Sequence, residues 1–326
     1  MRRSSRFARI GIAAGLTAVL AACGSAPTGP DPSTASGFPV TLTDVYGQVT
    51  VPKQPVRVAA LDQSYVDAAI ALETQVVAFT SYRGVGDELP PYLGADAATY
   101  AGQAKSVGTL QAPSLELVAA QQPDLIVSAK VRHGDQHDRL AGIAPTVFSE
   151  STGPTWKQNI RLLGTALGKS ALAEQKITAY EQRAKRIGDA VRAKLGRNPT
   201  VSLVRFAGEP TVRLYSKTSF PGTVLTDAGF ALNATAAAVP AGKISADVSQ
   251  ENLLQLDADH LFLSTARDEN GASAAQKAAS AANPLWARLT GQQTDVQDLT
   301  WLTAVGLQGA SAILDDVAKT FGVAAD

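Results

Sequence analysis

Three arginines stand just beyond segments that read as β-strands: Arg83 after residues 76–80, Arg132 after 125–128 and Arg267 after 260–263. Two more, Arg205 and Arg213, flank a hairpin predicted to run from strand 201–206 through Glu209 and Pro210 to strand 212–215. A guanidinium is planar, stays charged and offers its N–H groups as a fixed fork, so it grips oxygen anions two bonds at a time. In open α/β sheets ligands sit beyond the carboxyl ends of the strands, where Arg83, Arg132 and Arg267 are expected. A single arginine of this kind is ordinarily a solvated charge or a local ion pair; the repetition is what makes a grip for an anion worth considering. Tyr82, Trp156, Tyr215, Phe220 and Trp301 are the candidate walls, each equally able to serve as core.

Other chemistry finds few residues. His133 and His137 have the i, i+4 spacing that binds a transition metal on a helix. Gly134 disfavours a helix there, and the stretch reads as a solvated loop with Asp135 capping the helix that follows, so no metal ligands are assigned. Neither a Gly-x-Ser-x-Gly elbow, a phosphate-binding loop nor a His-Glu-x-x-His pair occurs, and Gly84-Val85-Gly86 is too short to use. With three His and one Cys, acid–base and thiol catalysis have few candidates, so the chain reads as a non-enzyme without a cofactor. The 29 basic and 29 acidic residues balance, which leaves no field to draw nucleic acid.

The elements that must position these residues form a βα alternation. A hairpin is expected over 40–51, a strand over 57–61, a helix over 62–72 capped by Asp62 or Ser64, a strand over 76–80, helices over 114–121 and 136–143, and strands over 125–128 and 146–148. Residues 155–195 keep helical spacing with one break at Gly168, and Gly196, Asn198 and Pro199 end them. The alternation then resumes, with a helix over 221–228, another over 250–256, a strand over 260–263, and helices over 274–282 and 302–321. The fold class is α/β: two α/β lobes with central parallel sheets joined by a long backbone helix. The lobes would span 38–153 and 198–326, with 154–197 connecting them.

One cassette occurs in both halves. Ser114-Leu115-Glu116 leads to Asp124-Leu125-Ile126, and Ser249-Gln250-Glu251 leads to Asp259-His260-Leu261; in each, Glu precedes Asp by eight residues. Each Ser can cap a helix, which puts each Glu in a first turn where a carboxylate suits the helix dipole. Each Asp opens a buried strand.

The N-terminus reads as an export signal. Arg2, Arg3, Arg6 and Arg9 precede an apolar run from Ile10 to Ala22, too short to span a bilayer. Leu20-Ala21-Ala22-Cys23-Gly24 resembles a bacterial lipobox, so residues 1–22 are expected to be removed and Cys23 lipidated. Residues 23–37 carry the anchor and a Pro-, Ser- and Gly-rich tether. A lone cysteine excludes an internal disulfide.

Several strings in order resemble the helical-backbone class of periplasmic binding proteins: Asp44-Val45-Tyr46-Gly47, Pro123-Asp124-Leu125-Ile126, Ile143-Ala144-Pro145-Thr146-Val147 and Asn283-Pro284-Leu285-Trp286. Val204-Arg205-Phe206, Arg213-Leu214-Tyr215 and Ser219-Phe220-Pro221-Gly222 are similar to its ferric-siderophore branch. The resemblance implies a lipid-anchored monomer on the outer side of the cell membrane, in a periplasm or beyond a single membrane. It would capture a ferric siderophore of hydroxamate or carboxylate type and deliver it to the permease of an ABC importer. It places Arg205 and Arg213 at the cleft, and it assigns Glu116 and Glu251 to docking on permease arginines. Haem, cobalamin or a free metal ion stay open as ligands, and a surface lipoprotein enzyme is the reading from another class.

Overall fold

The computed structural model describes residues 37–83 and 85–326. The export signal, Cys23, residues 24–36 of the tether and Gly84 lie outside the described residues. Among the described residues no helix is long and apolar enough to cross a membrane.

Short apolar runs become strands and the amphipathic stretches between them become helices. The first half holds β1 (Val40–Asp44), β2 (Gly47–Val51), β3 (Val58–Ala60), α1 (Gln63–Ala71), β4 (Val76–Phe79), α2 (Asp96–Ala101), β5 (Lys105–Ser106), α3 (Leu115–Ala120), β6 (Leu125–Ala129), α4 (Lys130–His133), α5 (His137–Ala141) and β7 (Thr146–Ser149). Two helices follow, α6 (Trp156–Ala166) and α7 (Ser170–Leu195). The second half holds β8 (Thr200–Phe206), β9 (Val212–Tyr215), α8 (Phe220–Asp227), β10 (Ala231–Leu232), α9 (Ala234–Ala237), β11 (Ser245–Val248), β12 (His260–Thr265), α10 (Ala272–Ala282), β13 (Gln292–Val296) and α11 (Leu307–Phe321).

The first sheet has the order β5-β4-β3-β6-β7 and is parallel throughout. Strands β3, β6 and β7 are buried along their whole length, as expected for a parallel sheet covered on both faces. The second sheet runs β11-β9-β8-β12-β13, with β10 beside the start of β8. Strands β8, β12 and β13 are parallel, β9 runs antiparallel to β8, and β11 runs antiparallel to β9. Chain order reverses next to β3 in one sheet and next to β8 in the other, which opens a crevice at the carboxyl end of each central pair.

The cassette aspartates do matching work. Asp124 accepts the N–H groups of Val56 and Arg57 ahead of β3. Asp259 accepts that of Thr200 at the start of β8 and pairs with Arg197. Each therefore ties its own strand to the central strand beside it.

One apolar core runs from β3 and β4 through α1, α6, α7, α8 and α11 to Val201, Leu203 and Phe262 of the second sheet. Smaller cores cover the outer faces of the two sheets. Helix α7, 26 residues and about 39 Å long, is the spine of this core. Gly168, at φ +68°, makes the predicted break between α6 and α7. At Gly188 an added Cβ would fall on the carbonyl oxygen of Ala228, because α7 and the end of α8 touch backbone to backbone. Gly188→Ala should therefore cost about 2 kcal/mol despite alanine's better helix propensity, read as a lower urea midpoint at unchanged slope.

Three expectations need correction. The last helix starts at Leu307, not 302, because residues Leu299–Thr303 form a π-turn that ends before Gly306. Residues Gln250–Leu256 form a 3-10 segment broken at Asn252, and Ser249 makes no side-chain cap there, whereas Ser114 caps α3 through the Leu117 N–H. Arg132 and His133 sit in a helical turn rather than a solvated loop, and Asp135 caps nothing. His133 is fully buried, with Nδ1 2.7 Å from Ser128 Oγ and Nε2 2.8 Å from the Leu110 carbonyl oxygen. His137 instead stacks on Tyr46 with 4.1 Å between ring centroids. The two imidazoles serve separate structural contacts, and no cluster of metal-ligating side chains exists among the described residues.

Candidate functional site

A cleft of about 420 Å³ lies between the carboxyl ends of the two sheets. The loops after β4 and β7 supply Arg83 and the 151–154 segment, and α4, directly after β6, supplies Arg132; β8 and β9 supply Arg205, Arg213 and Tyr215. The N-terminus of α8 adds Ser219 and Phe220, and the segment after the π-turn adds Val305. Four of the five candidate arginines thus meet in one cavity.

Three of them are held by carboxylates. Asp62 caps α1 with Oδ1, 2.9 Å from the Ser64 nitrogen, and accepts Arg132 Nε on Oδ2 at 2.8 Å. The Asp62 side chain is 3% exposed and that of Arg132 27%, so the pair is fixed below and open toward the cleft. Asp298 takes Arg205 as a two-pronged pair, at 2.6 and 2.8 Å, while Ser264 Oγ donates to the same carboxylate at 2.7 Å. Ser264 is the register partner of Arg205, so the end of β12 helps position it. Arg213 is chelated by Glu209 from the hairpin turn. Burial works against the Arg205 charge, but Asp298 and Tyr215 more than offset it and raise its pKa.

Arg83 makes no ion pair among the described residues. Its pKa is lowered, first by burial and then by the Arg132 charge, with Arg205 adding to the effect. The cleft therefore carries a net positive charge and has N–H donors to spare. It suits an anion with several oxygens.

The aromatic candidates divide. Tyr215 and Phe220 line the cleft. Trp156 does not: it is 2% exposed, donates from Nε1 to Thr223 Oγ1 at 3.0 Å, and packs edge-on against Tyr180 and Phe220. Trp301 is fully buried, packs on Phe262 and donates to Asp316. Both tryptophans are core because their N–H groups find partners inside the fold. Arg267 faces a separate recess with Asp268 and Glu269, and Tyr82 at its base is core, 2% exposed and packed against Phe79.

The cassette glutamates are both exposed. Glu116 has its pKa lowered by its own backbone N–H and by Ser114, whose Oγ donates to it at 3.0 Å. The Glu251 carboxyl is lowered by the Ser249 hydroxyl and its own backbone N–H.

Sequence reasoning missed the three carboxylates as partners in the site. Asp62 was visible only as a cap, and Asp298 carried no signal, because the strand before it lacks an apolar run. It also missed the 151–154 loop and two apolar residues, Val131 and Ile244, that line the cleft.

Comparison with known proteins places these features in context. The family model described as periplasmic binding protein matches residues 58–296. A probable siderophore-binding lipoprotein of Bacillus subtilis, YfiY, is 33% identical over 320 residues, covering 93% of this chain and 94% of its own. The Fe(3+) dicitrate-binding periplasmic protein FecB of Escherichia coli is 27% identical over 295 residues, covering 87% and 91%. Among solved structures, Staphylococcus aureus SirA complexed with staphyloferrin B superposes with a TM-score of 0.77 at 25% identity, over 88% of this chain and 99% of that one.

Proposed function

Since the chain belongs to the periplasmic binding protein family, we propose that its cleft captures a ferric siderophore outside the cell and delivers it to an ABC importer. The observation that carries this reading is the convergence of Arg83, Arg132, Arg205 and Arg213 from both sheets on one cavity. In such a complex the chelator already satisfies the iron. The protein then needs donors to the chelator's outer oxygens rather than metal ligands, and guanidinium forks supply them. Net positive charge favours a carboxylate-type complex, and the similarity to a dicitrate-binding protein supports that reading. Nothing in this role requires chemistry on the ligand.

The remaining roles follow from the same reading. Residues 38–153 and 198–326 act as two lobes on the 154–197 backbone, and the protein works as a monomer. Cys23 carries the lipid that holds it to the outer side of the membrane. Glu116 and Glu251, one on each lobe, dock the loaded protein on the permease pair.

The test is intrinsic fluorescence of the purified full chain in mild detergent, since Trp156 packs on cleft residue Phe220. Ferric dicitrate and ferric hydroxamates should quench saturably, iron-free chelators far less. Silence toward every ferric chelate, with a response to haem, cobalamin or bare metal, overturns the substrate. Arg83→Ala should weaken binding at least tenfold with no change in melting temperature, since it breaks no ion pair. Arg205→Ala should weaken binding and also lower the melting temperature, because it strands Asp298 without its cation.

A further inference from the structure

Among the described residues seven large apolar side chains stand out into solvent, and two of them line this cleft from opposite sides. Val131, on α4 of the first half, is 59% exposed; Ile244, just ahead of β11 in the second, is 45% exposed. Neither position is loose. The Val131 N–H donates to the Glu150 carbonyl, and the Ile244 carbonyl accepts the Ser216 N–H at 2.9 Å. Exposed β-branched residues held in place gain nothing for the fold, and apolar surface left in water is what a ligand covers with profit. With Leu302 and Val305 nearby, the cleft has an apolar rim around its guanidinium groups.

Resting on the proposal that the cleft takes a ferric chelate, we infer that Val131 and Ile244 are specificity residues selecting a chelate with an aliphatic or aromatic arm over a bare hydroxycarboxylate chelate. The guanidinium groups hold the oxygens of either. Only the arm-bearing ligand also removes the two side chains from water, and the gain is proportional to the apolar area covered.

The experiment compares two probes on the full chain in detergent. One is ferric dicitrate; the other is the ferric complex of a citrate whose outer carboxylates carry alkyl hydroxamate arms. The unaltered protein should bind the armed chelate at least tenfold more tightly. Val131→Ser with Ile244→Ser should cost the armed chelate about tenfold more than it costs ferric dicitrate, at unchanged melting temperature. Equal losses for both probes, or no loss for either, overturn the assignment while leaving the cleft a chelate site. Lost iron uptake with both affinities unchanged also overturns it, since the two residues then meet the permease. If the unaltered protein binds neither probe, the reading of the cleft itself falls and takes this inference with it.

Discussion

Cells in which Glu116→Lys and Glu251→Lys are combined should lose iron uptake to below about a tenth of normal, while the purified double variant binds the ferric chelate with unchanged affinity. The argument is geometric. Each glutamate lies in the first turn after a matching serine, one in each half, and neither lines the cleft. On the docking proposal, two carboxylates fixed at corresponding places would orient a two-lobed body over a two-fold permease, and reversing both would set like charge against the permease arginines that the proposal pairs with them. Either reversal alone should cost part of the rate. Both carboxyls are held below the usual range by backbone and serine donors, so docking should persist in mildly acid medium. The measurement is labelled-iron uptake beside a binding titration. A weakened affinity in the double variant would move the glutamates from docking to the ligand site or the fold.

A second large effect belongs to Asp67. This carboxylate is fully buried on α1 and accepts the N–H groups of Gln308 and Gly309 at 3.2 and 3.1 Å, at the start of α11. Gly306 leaves the space: a Cβ there would strike the Asp67 carboxyl. The Gln308 amide, turned with its nitrogen toward the carboxylate, adds a donor. Burial outweighs these donors and pushes the pKa up to about 7. Between roughly pH 4 and 7 the folded protein then holds a proton that the unfolded chain has released. Stability from this group is full below pH 4, falls as pH rises to about 7, and is flat above; the fall is on the order of 4 kcal/mol at most. Asp67→Asn should remove the slope. Asp67→Ala should also remove it but lower stability at every pH, because it strands the α11 N–H groups. Urea unfolding between pH 4.5 and 8 decides the matter: an Asn variant that keeps the slope sinks this account.

Much of this architecture was legible because its signals are local. Asp62 before an apolar run marked the start of α1, Gly168 marked the helix break, and alternating runs marked the parallel strands. Two of the three arginines past strand ends, Arg83 and Arg132, reached the cleft for the same reason, since a strand's direction fixes where its next residue emerges, whereas Arg267 turned into a separate recess. What stayed hidden is non-local. Asp62 and Arg132 are 70 residues apart and Arg205 and Asp298 are 93 apart, so no spacing rule pairs them. Trp301 and Tyr215 look alike as aromatics in a sequence, and only the partner of each polar atom separates a core ring from a cleft wall. Strand β13, whose sequence is QQTDV, lacks an apolar run because it lies at a sheet edge.

The uninterrupted core through α1, α6, α7, α8 and α11 has a consequence for traffic at the membrane. A body stiffened in this way should change shape little on loading. On the docking proposal it would then show the permease nearly the same face full or empty, empty copies would compete for the same dock, and import would follow the ratio of loaded to vacant protein rather than the number of loaded copies. Overproducing the binding protein when the chelate is scarce should slow iron entry instead of speeding it.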